Sequence, residues 1–327
     1  MEKEKKSTRL RKLLNSGELV RPILGGTAHH AQLAEMTGFK MFGVSGSHTA
    51  SQILGLPDAG LLTQTELVEN VQRIARAVDI PVLVDCDTGF GNAINVRRTT
   101  ELIIRAGAAG MFLEDQVSPK RCGFVKGKEL IPIEEAVGKY RAAIDTRNEM
   151  DPDFVVMART DARGAVGGSV AEVIRRGVAY RDAGVDILYA EALQSREEIR
   201  AVREGIGPDL LFRATTQAIQ PPVTDQEMID LGLCMAGSVH ISRIGMVAMH
   251  DFLVDYQKRG MDAFNEFMTN TADHPLGLFG IFDLVGFPQV LEWEKKYLPA
   301  EQLEKYENTI GMYDPRVGHR GNKTPAN

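Results

Sequence analysis

The sequence alternates short apolar runs with amphipathic stretches of helical length, and this alternation limits the fold more than any other feature. Eight strand candidates lie at 20–24, 39–44, 81–85, 110–114, 154–159, 186–190, 210–213 and 233–239. Helical patterns separate them at 28–37, 64–78, 93–106, 133–148, 169–183, 195–204 and 224–231, and another at 241–259 follows the eighth strand. Strands that alternate with helices indicate parallel βαβ units. Eight units predict an α/β fold of the (β/α)8 TIM-barrel type, since an open sheet more often stops at about five or six strands.

The alternating pattern ends near residue 260. Beyond that point the sequence contains Pro275, Pro288 and Pro299, with helical stretches at 280–296 and 300–310. The tail 311–327 is rich in Gly, Pro, Asn and charged residues, so we expect it to fray. We therefore predict a catalytic barrel domain over residues 1–260 and a C-terminal helical extension over residues 261–327 that serves oligomerisation.

Composition excludes several classes of protein. The chain has 327 residues, enough for one large barrel, and a formal net charge of −6, which argues against a nucleic-acid partner. The basic cluster from Lys3 to Lys12 is interpreted as the start of a solvated helix. No apolar run reaches about 18 residues, so we expect no membrane span. Three cysteines without metal spacing, and no signal-peptide pattern, favour a cytoplasmic location.

Two carboxylates follow the third predicted strand. Val82-Leu-Val-Asp-Cys-Asp87 ends a buried run in Asp85 and Asp87, which point to the same face of a strand. Two such close like charges are costly unless a cation lies between them, and Mg²⁺ prefers oxygen ligands. The alternative is that one Asp caps the next helix and the other is a solvated loop residue. The turn that follows, Thr88-Gly89 and Gly91, favours the metal site.

Polar residues follow most of the other predicted strands as well. In a barrel these positions meet at one rim, where catalytic groups lie. The set supplies carboxylates for a metal, Arg159 for a bidentate carboxylate contact, and a small-residue loop whose N–H groups can bind an oxyanion. Its members are Ser45-Gly46-Ser47, Asp85 and Asp87, Glu114-Asp115-Gln116, Arg159-Thr160-Asp161, Glu191, and Arg213 to Gln217.

The loop 117–130 after the fourth strand is long for a barrel loop, which indicates a mobile lid. Its cations Lys120, Arg121, Lys126 and Lys128 suit an anionic ligand. Cys122 lies among them, so we expect a lowered thiol pKa and proton-transfer chemistry, the alternative being a small buried side chain.

Cys86 and Cys234 are interpreted as packing residues, and the side chains of His29 and His30 as capping or surface groups. The role of His48, which is closer to the predicted site, stays open.

Several of these stretches occur together in one enzyme family. Over residues 10–260 the chain resembles the isocitrate lyase and phosphoenolpyruvate mutase superfamily, and Lys120-Arg-Cys-Gly123 is typical of its carbon–carbon lyase branch, the methylisocitrate and dimethylmalate lyases. The other matching stretches are Leu54-Gly-Leu-Pro-Asp58, Asp85-Cys-Asp-Thr-Gly-Phe-Gly91, Glu114-Asp-Gln116 and Met157-Ala-Arg-Thr-Asp-Ala162.

The resemblance implies roles for individual residues. It implies Mg²⁺, or Mn²⁺ in its place, held largely through water by Asp85, Asp87 and Glu114. It implies 2-oxo acid binding by Ser45, Gly46, Ser47 and Arg159, and proton donation by Cys122. We assign Asp58 and Arg159 to the catalytic group with Cys122, and we predict further substrate contacts from Lys120, Arg121, Gly123, Phe124, Glu191 and Thr216.

The sequence departs from the family pattern at three places. Phe124 replaces a His, Ser47-His48 replaces a glycine continuation, and Ala214 and Gln217 stand where methylisocitrate lyases have Asn and Glu. These departures predict a substrate whose distal part is less polar than that of a tricarboxylate. The family also implies a homotetramer with exchange of the last barrel helix.

The predicted function is Mg²⁺-dependent cleavage of the C2–C3 bond of a substituted 2-hydroxy dicarboxylate, giving a 2-oxo acid and a carboxylic acid. Hydrolysis or decarboxylation of an oxaloacetate-like acid is the alternative, because it would use the same metal and oxyanion site. A phosphonate mutase is disfavoured by Cys122, and a non-catalytic metabolite-binding barrel by the intact carboxylate set.

Overall fold

The computed structural model describes residues 4–304 and 309–313. The chain divides into two compact units, Met1–Ser242 and Arg243–Asn327. The helix Ile241–Arg259 falls almost wholly in the second unit, whereas the domain division predicted from the sequence groups it with the barrel. That division at residue 260 stays a prediction. No helix in the described residues is both long and apolar enough to cross a membrane.

Eight parallel strands form one sheet in the order β7-β6-β5-β4-β3-β2-β1-β8, which confirms the predicted α/β fold of the TIM-barrel type. Each strand overlaps a predicted one, although β1 and β2 begin three residues later than predicted and β8 is much shorter. The strands are β1 Ile23–Gly25, β2 Phe42–Val44, β3 Val82–Asp85, β4 Gly110–Glu114, β5 Val155–Thr160, β6 Ile187–Ala190, β7 Leu211–Ala214 and β8 Val239–His240.

The chain before β8 links the two ends of the sheet. The Cys234 N–H donates to Phe212 O of β7 at 2.8 Å, and the Ala236 N–H donates to Val20 O at 2.8 Å. The predicted strand 233–239 is therefore extended chain that hydrogen-bonds on both sides, although only its last residue belongs to β8.

Helices follow the strands in close agreement with the predicted stretches, and all of those below except the helix Ile241–Arg259 lie wholly in the first unit. The sequence did not indicate α3 or the π-helical turn after it, which together occupy the loop after β2. The helices are α1 Lys6–Leu14, α2 Ala28–Met36, α3 Gly46–Thr49, the π-helical turn Ala50–Leu54, α4 Gln64–Ala77, α5 Ala93–Arg105, α6 Ile133–Met150, α7 Val170–Ala183, α8 Arg196–Ile206, α9 Asp225–Asp230 and α10 Ile241–Arg259.

Alternate strand residues build two apolar layers, as period 2 requires. One layer, between strands and helices, includes Val82, Val84 and Cys86, so the prediction that Cys86 packs is confirmed. The inner layer includes Leu83, Phe112 and Met157 together with Leu10 and Leu14 of α1. The helix predicted at the basic start of the chain is present as α1, and its face with Leu10 and Leu14 is buried in the inner layer rather than solvated.

Among its described residues, the second unit contains four further helices: α11 Met261–Asn270, α12 Gly280–Leu284, α13 Phe287–Tyr297 and α14 Ala300–Glu304. The single helix predicted at 280–296 is interrupted at Gly286, whose φ of +87° is incompatible with a continuous helix. Helix α11 was not predicted. The predicted stretch 300–310 and the tail 311–327 lie partly outside the described residues.

Candidate active site

A cavity of about 500 Å³, counting space open to solvent, lies at the carboxyl ends of the strands. Nine residues that the sequence singled out line it: Ser45, Ser47, Asp58, Asp85, Cys122, Gly123, Phe124, Arg159 and Glu191. The remaining lining residues are Leu24, Phe112, Tyr189, Arg213, Thr215, Gln217, Ser238 and His240.

Asp85 and Asp87 converge beside Gly46, as the strand-end pattern predicted. Asp85 ends β3 and accepts a hydrogen bond from the Gly46 N–H at 3.1 Å. Asp87 has a φ of +47°, a left-handed conformation that Asp tolerates better than most residues. A Cβ on Gly46 would lie 2.8 Å from Asp87 Oδ1 and 3.2 Å from Asp85 Oδ2, so only glycine fits between the two carboxylates.

Lys120 is buried next to the site carboxylates and is not among the residues that line the cavity. Its Nζ is 2.5 Å from Asp58 Oδ1 and 3.0 Å from Asp87 Oδ1, and the residue is only 3% exposed. Neighbouring carboxylates occupy its ammonium group, and the contact of Lys120 with substrate stays a prediction. Burial alone would lower the pKa of Lys120, but the surrounding carboxylates, Glu114 first, raise it.

Arg159 connects three carboxylates at the ends of neighbouring strands. Its Nε and Nη2 donate to Asp161 at 3.0 and 3.1 Å, and its Nε lies 3.3 Å from Glu114 Oε2. Glu191 Oε2 is 3.6 Å from Nη2. Both carboxylate oxygens of Glu114 are buried without a well-aligned hydrogen-bond donor. Burial raises the pKa of Glu114 well above its usual value, although Arg159 and Lys120 act in the opposite direction.

The charges of this region do not balance. Six carboxylates line the cavity or are paired beneath it: Asp58, Asp85, Asp87, Glu114, Asp161 and Glu191. The cations paired with them or lining the same cavity are Lys120, Lys128, Arg159 and Arg213. The difference is two negative charges, so the donor set fits one divalent cation with oxygen ligands.

The residues of the site fit an ion that is held partly through water molecules. No three His, Cys, Asp or Glu side chains among residues 4–304 and 309–313 come close enough to coordinate one metal directly. Asp87 Oδ1 is buried with Lys120 as its nearby cation, and burial raises the pKa of Asp87 although Lys120 acts in the opposite direction. Mg²⁺ keeps several waters and uses only one or two carboxylates, which agrees with this arrangement.

Cys122 lies at the cavity wall, with its backbone N–H donating to Asp58 O at 3.2 Å. The prediction of a lowered thiol pKa is wrong. Burial, with a further contribution from Asp58, raises the pKa of Cys122 above its usual value, because Lys120 is already paired with carboxylates. A raised pKa keeps the thiol protonated at neutral pH, as a proton donor requires.

The loop 117–130 is tied to the barrel in this conformation. Lys128, predicted as an open cation, is 3% exposed and lies 3.8 Å from Asp161. Gln116 holds the backbone of Arg121 through two hydrogen bonds of 2.9 Å. The Arg121 guanidinium lies near Lys126 O and does not line the cavity, and its contact with substrate stays a prediction. The mobility of the loop stays a prediction.

The loop after β2 brings hydroxyl and imidazole groups to the cavity. The Ser45 and Ser47 hydroxyl oxygens are 2.9 Å apart, and both residues line the cavity. His48 Nε2 is 3.2 Å from His240 Nδ1. Burial, followed by the neighbouring His240, lowers the pKa of His48 to about 4, so His48 is neutral at physiological pH.

The part of the cavity wall that follows β6 and β7, here called the distal wall, is more polar than the sequence indicated. Tyr189 donates to Glu191 Oε2 at 2.7 Å and is 3.0 Å from Thr215 Oγ1, and Arg213 lies over its ring. Thr215, rather than the predicted Thr216, lines the cavity, as do Arg213 of β7 and Gln217 in the turn that follows. Ala214 points the other way and packs in the layer between strands and helices. The period-2 rule could have identified Phe112 and Tyr189, which lie two residues before the predicted site residues Glu114 and Glu191.

Comparison with known proteins gives a consistent set of relatives. A family model described as phosphoenolpyruvate phosphomutase matches residues 27–249. The chain is 36% identical over 299 residues to a 2,3-dimethylmalate lyase from Eubacterium barkeri, covering 89% of this chain and 98% of that protein. It is 40% identical over 210 residues to the 2-methylisocitrate lyase of Escherichia coli, covering 64% of this chain and 70% of the relative.

Solved structures of related enzymes are similar to this chain over most of its length. An oxaloacetate acetylhydrolase in complex with the inhibitor 3,3-difluorooxalacetate has a TM-score of 0.79 at 30% identity, covering 90% of this chain and 98% of that one. A phosphonopyruvate hydrolase in complex with oxalate and Mg²⁺ has a TM-score of 0.78 at 29% identity, covering 90% and 100%.

Proposed function

The chain belongs to the phosphoenolpyruvate mutase/isocitrate lyase superfamily, and we propose that it is a Mg²⁺-dependent lyase that cleaves the C2–C3 bond of a substituted 2-hydroxy dicarboxylate. The observation that carries the proposal is Cys122. Its thiol lies at the wall of a cavity lined by carboxylates and Arg159, and its raised pKa keeps it protonated. The similarity to 2,3-dimethylmalate lyase and 2-methylisocitrate lyase supports carbon–carbon cleavage.

Each side chain has a defined part in this reaction. The 2-oxo acid end of the substrate lies against Ser45, Ser47 and the Gly46 N–H side of the cavity, where Arg159 supplies positive charge. The C2 hydroxyl passes its proton to solvent water as its O–H electrons form the C2=O bond, and the electrons of the broken C2–C3 bond pass to C3 of the departing acid. The Cys122 thiol then protonates C3 of that fragment. The second product is the 2-oxo acid.

Asp85, Asp87 and Glu114 are the residues that would hold Mg²⁺, with Asp58 nearby. When bound, the ion supplies charge stabilisation for the oxygens that become the 2-oxo acid. The similarity to a phosphonopyruvate hydrolase solved with oxalate and Mg²⁺ supports this assignment.

A substrate panel tests the reaction. Substituted malates, isocitrates and oxaloacetates are incubated with the protein and Mg²⁺, and release of 2-oxo acid is measured. We expect release from at least one 2-hydroxy dicarboxylate. Oxaloacetate cleaved by water to oxalate and acetate, with no malate cleaved, would instead identify the hydrolase alternative, which the similarity to oxaloacetate acetylhydrolase favours.

Phe124 is expected to favour a dicarboxylate over a tricarboxylate. It lines the cavity mouth and is 69% exposed, and it has no donor for a third carboxylate. We predict a higher kcat/KM for 2,3-dimethylmalate than for methylisocitrate. Because the site is open to water, Phe124→His should shift the ratio toward methylisocitrate by only about tenfold. Phe124→Leu, which adds no donor, should not move it. A native preference for methylisocitrate, or an unmoved ratio in the His variant, would refute this assignment.

We propose that the protein forms a homotetramer through its second unit. Helix α10 carries large apolar side chains that are more than half exposed, among them Ile244 at 63% and Leu253 at 61%. Of the apolar residues predicted at an interface, Ile281, Phe282, Val285 and Phe287 are exposed, whereas Phe279 packs against Phe282 and Tyr313. An apolar surface of this kind usually forms an interface. Light scattering at micromolar concentration should give four times the chain mass, and a monomer would contradict the proposal.

A further inference from the structure

Arg213 is a buried cation at the cavity wall that has no carboxylate partner. The residue is 2% exposed, and its Nε–H donates to no acceptor among the described residues. Its Nη2 donates to the Ser238 hydroxyl. Its guanidinium carbon lies 4.3 Å from the Tyr189 ring centre, a cation–π contact. The other cations of the site, Arg159, Lys120 and Lys128, all have carboxylates within ion-pair distance.

A buried guanidinium without a counter-ion is costly in free energy, because burial removes its hydration and nothing replaces the lost charge interaction. A hydroxyl and an aromatic ring compensate only part of this cost. An anion that enters the cavity would supply the missing charge interaction. Arg213 is thus complementary to a carboxylate, whose two oxygens match the guanidinium fork.

The position of Arg213 identifies which carboxylate it can receive. Arg159, at the 2-oxo acid end, is already bonded bidentately to Asp161. Arg213 lies on β7, where it shares the Tyr189 ring with Arg159, whose guanidinium carbon is 5.4 Å from the ring centre. Ser238 and Gln217 complete this side of the wall, which lies away from Asp85 and Gly46 in sheet order.

We propose that Arg213 is a specificity-determining residue that binds the second carboxylate of the substrate, the one that leaves with the departing acid. This inference rests on the proposed function, because it takes the 2-hydroxy acid end to lie at Ser45 and Asp85. It agrees with the expectation of a distal part less polar than that of a tricarboxylate, since the distal wall provides one cation and accordingly accepts one carboxylate. A third carboxylate finds no further unpaired cation among the described wall residues.

Malate and lactate form a matched pair of probes, because malate has the same 2-hydroxy acid end and one additional carboxylate. Their affinities are measured by calorimetry with Mg²⁺ present, on the native protein and on Arg213→Gln. We expect the native protein to bind malate more tightly than lactate. Arg213→Gln should lose about 10- to 100-fold of malate affinity and leave lactate affinity unchanged. Arg213→Lys, which keeps the charge without the fork, should recover part of the loss.

Arg200→Gln is the control, since Arg200 is an exposed arginine on α8 whose replacement should change neither affinity. Lactate binding reports that each variant is folded. If Arg213→Gln loses lactate binding, Arg213→Met, which keeps the packing on Tyr189, replaces it with the same expected change in ratio. An equal malate-to-lactate ratio in native and variant protein overturns the inference, as does a native protein that binds the two equally.

Failure of the proposed function gives a different result. A native protein that prefers malate through Arg213 but releases no 2-oxo acid from any dicarboxylate would contradict the lyase and leave the Arg213 site supported. A native protein that binds neither probe would contradict both.

Discussion

Removal of divalent cations is expected to abolish 2-oxo acid release, and Mg²⁺ is expected to restore it. Six carboxylates meet four cations at the site, and Glu114 and Asp87 have buried oxygens that lack well-aligned donors. Charge stabilisation by a bound metal amounts to several kcal/mol, so turnover should fall by at least about 10³-fold. The measurement is turnover before and after treatment with EDTA, followed by addition of Mg²⁺.

Asp87→Asn should have the same effect without unfolding the protein. The amide keeps the size of Asp87 and removes a charge that burial already disfavours, as the raised pKa of Asp87 indicates. Mg²⁺ with oxalate should raise the thermal midpoint of the native protein but not that of the variant, because a ligand stabilises only a protein that binds it. Asp209→Asn, in the exposed turn before β7, should behave as native. Full turnover of EDTA-treated native protein would contradict the metal requirement.

Cys122→Ser should lower turnover by about 10²- to 10⁴-fold, the usual contribution of a general acid. The serine hydroxyl is a much weaker acid than a thiol and cannot deliver the proton at neutral pH. Binding of oxalate should change little, because oxalate occupies the end of the cavity near Ser45 and Asp85. The measurement is kcat for the variant alongside its oxalate affinity.

Cys234→Ser is the matched control, since Cys234 packs near the inner layer and does not line the cavity. It should keep near-native turnover. A Cys122→Ser variant with a near-native rate would show that the cysteine is structural, and a parallel loss of oxalate affinity would mean that the loop around it had been displaced.

The barrel could be predicted because its signals are local and repeated. Apolar runs such as Val82–Asp85 and caps such as Thr63, which forms a capping box with Glu66, are determined by neighbours in the sequence. The short β8 was harder to place. Its preceding chain is held by hydrogen bonds to Phe212 and Val20, about 20 and 200 residues away in sequence, which no local pattern reports.

The carboxylate cluster was also predictable, because strand ends in a barrel share one rim. The ionisation of Cys122 was not. The sequence places Cys122 beside Lys120, but the ammonium group turns to Asp58 and Asp87, and burial then raises the thiol pKa. Proximity in sequence therefore predicted the wrong direction for the pKa shift of Cys122, because the pairing of a charge depends on residues that are distant in sequence.

The role of Arg213 was also not predicted from the sequence. Arg213 stands at the end of the seventh predicted strand. The polarity of the substrate was nevertheless inferred from Ala214 and Gln217, because these two occupy positions that are polar in the family. The strand parity places Arg213 and Thr215 inward, so the polar function lies one residue away from the aligned position.

Cleavage of 2,3-dimethylmalate in deuterated water tests the central claim most directly. The protein is incubated with this acid and Mg²⁺, and the products are followed by nuclear magnetic resonance. The account predicts equal amounts of pyruvate and propionate, with one deuterium at C2 of propionate from the exchangeable Cys122 thiol. Absence of pyruvate, under conditions in which the same protein converts oxaloacetate to oxalate and acetate, would contradict it.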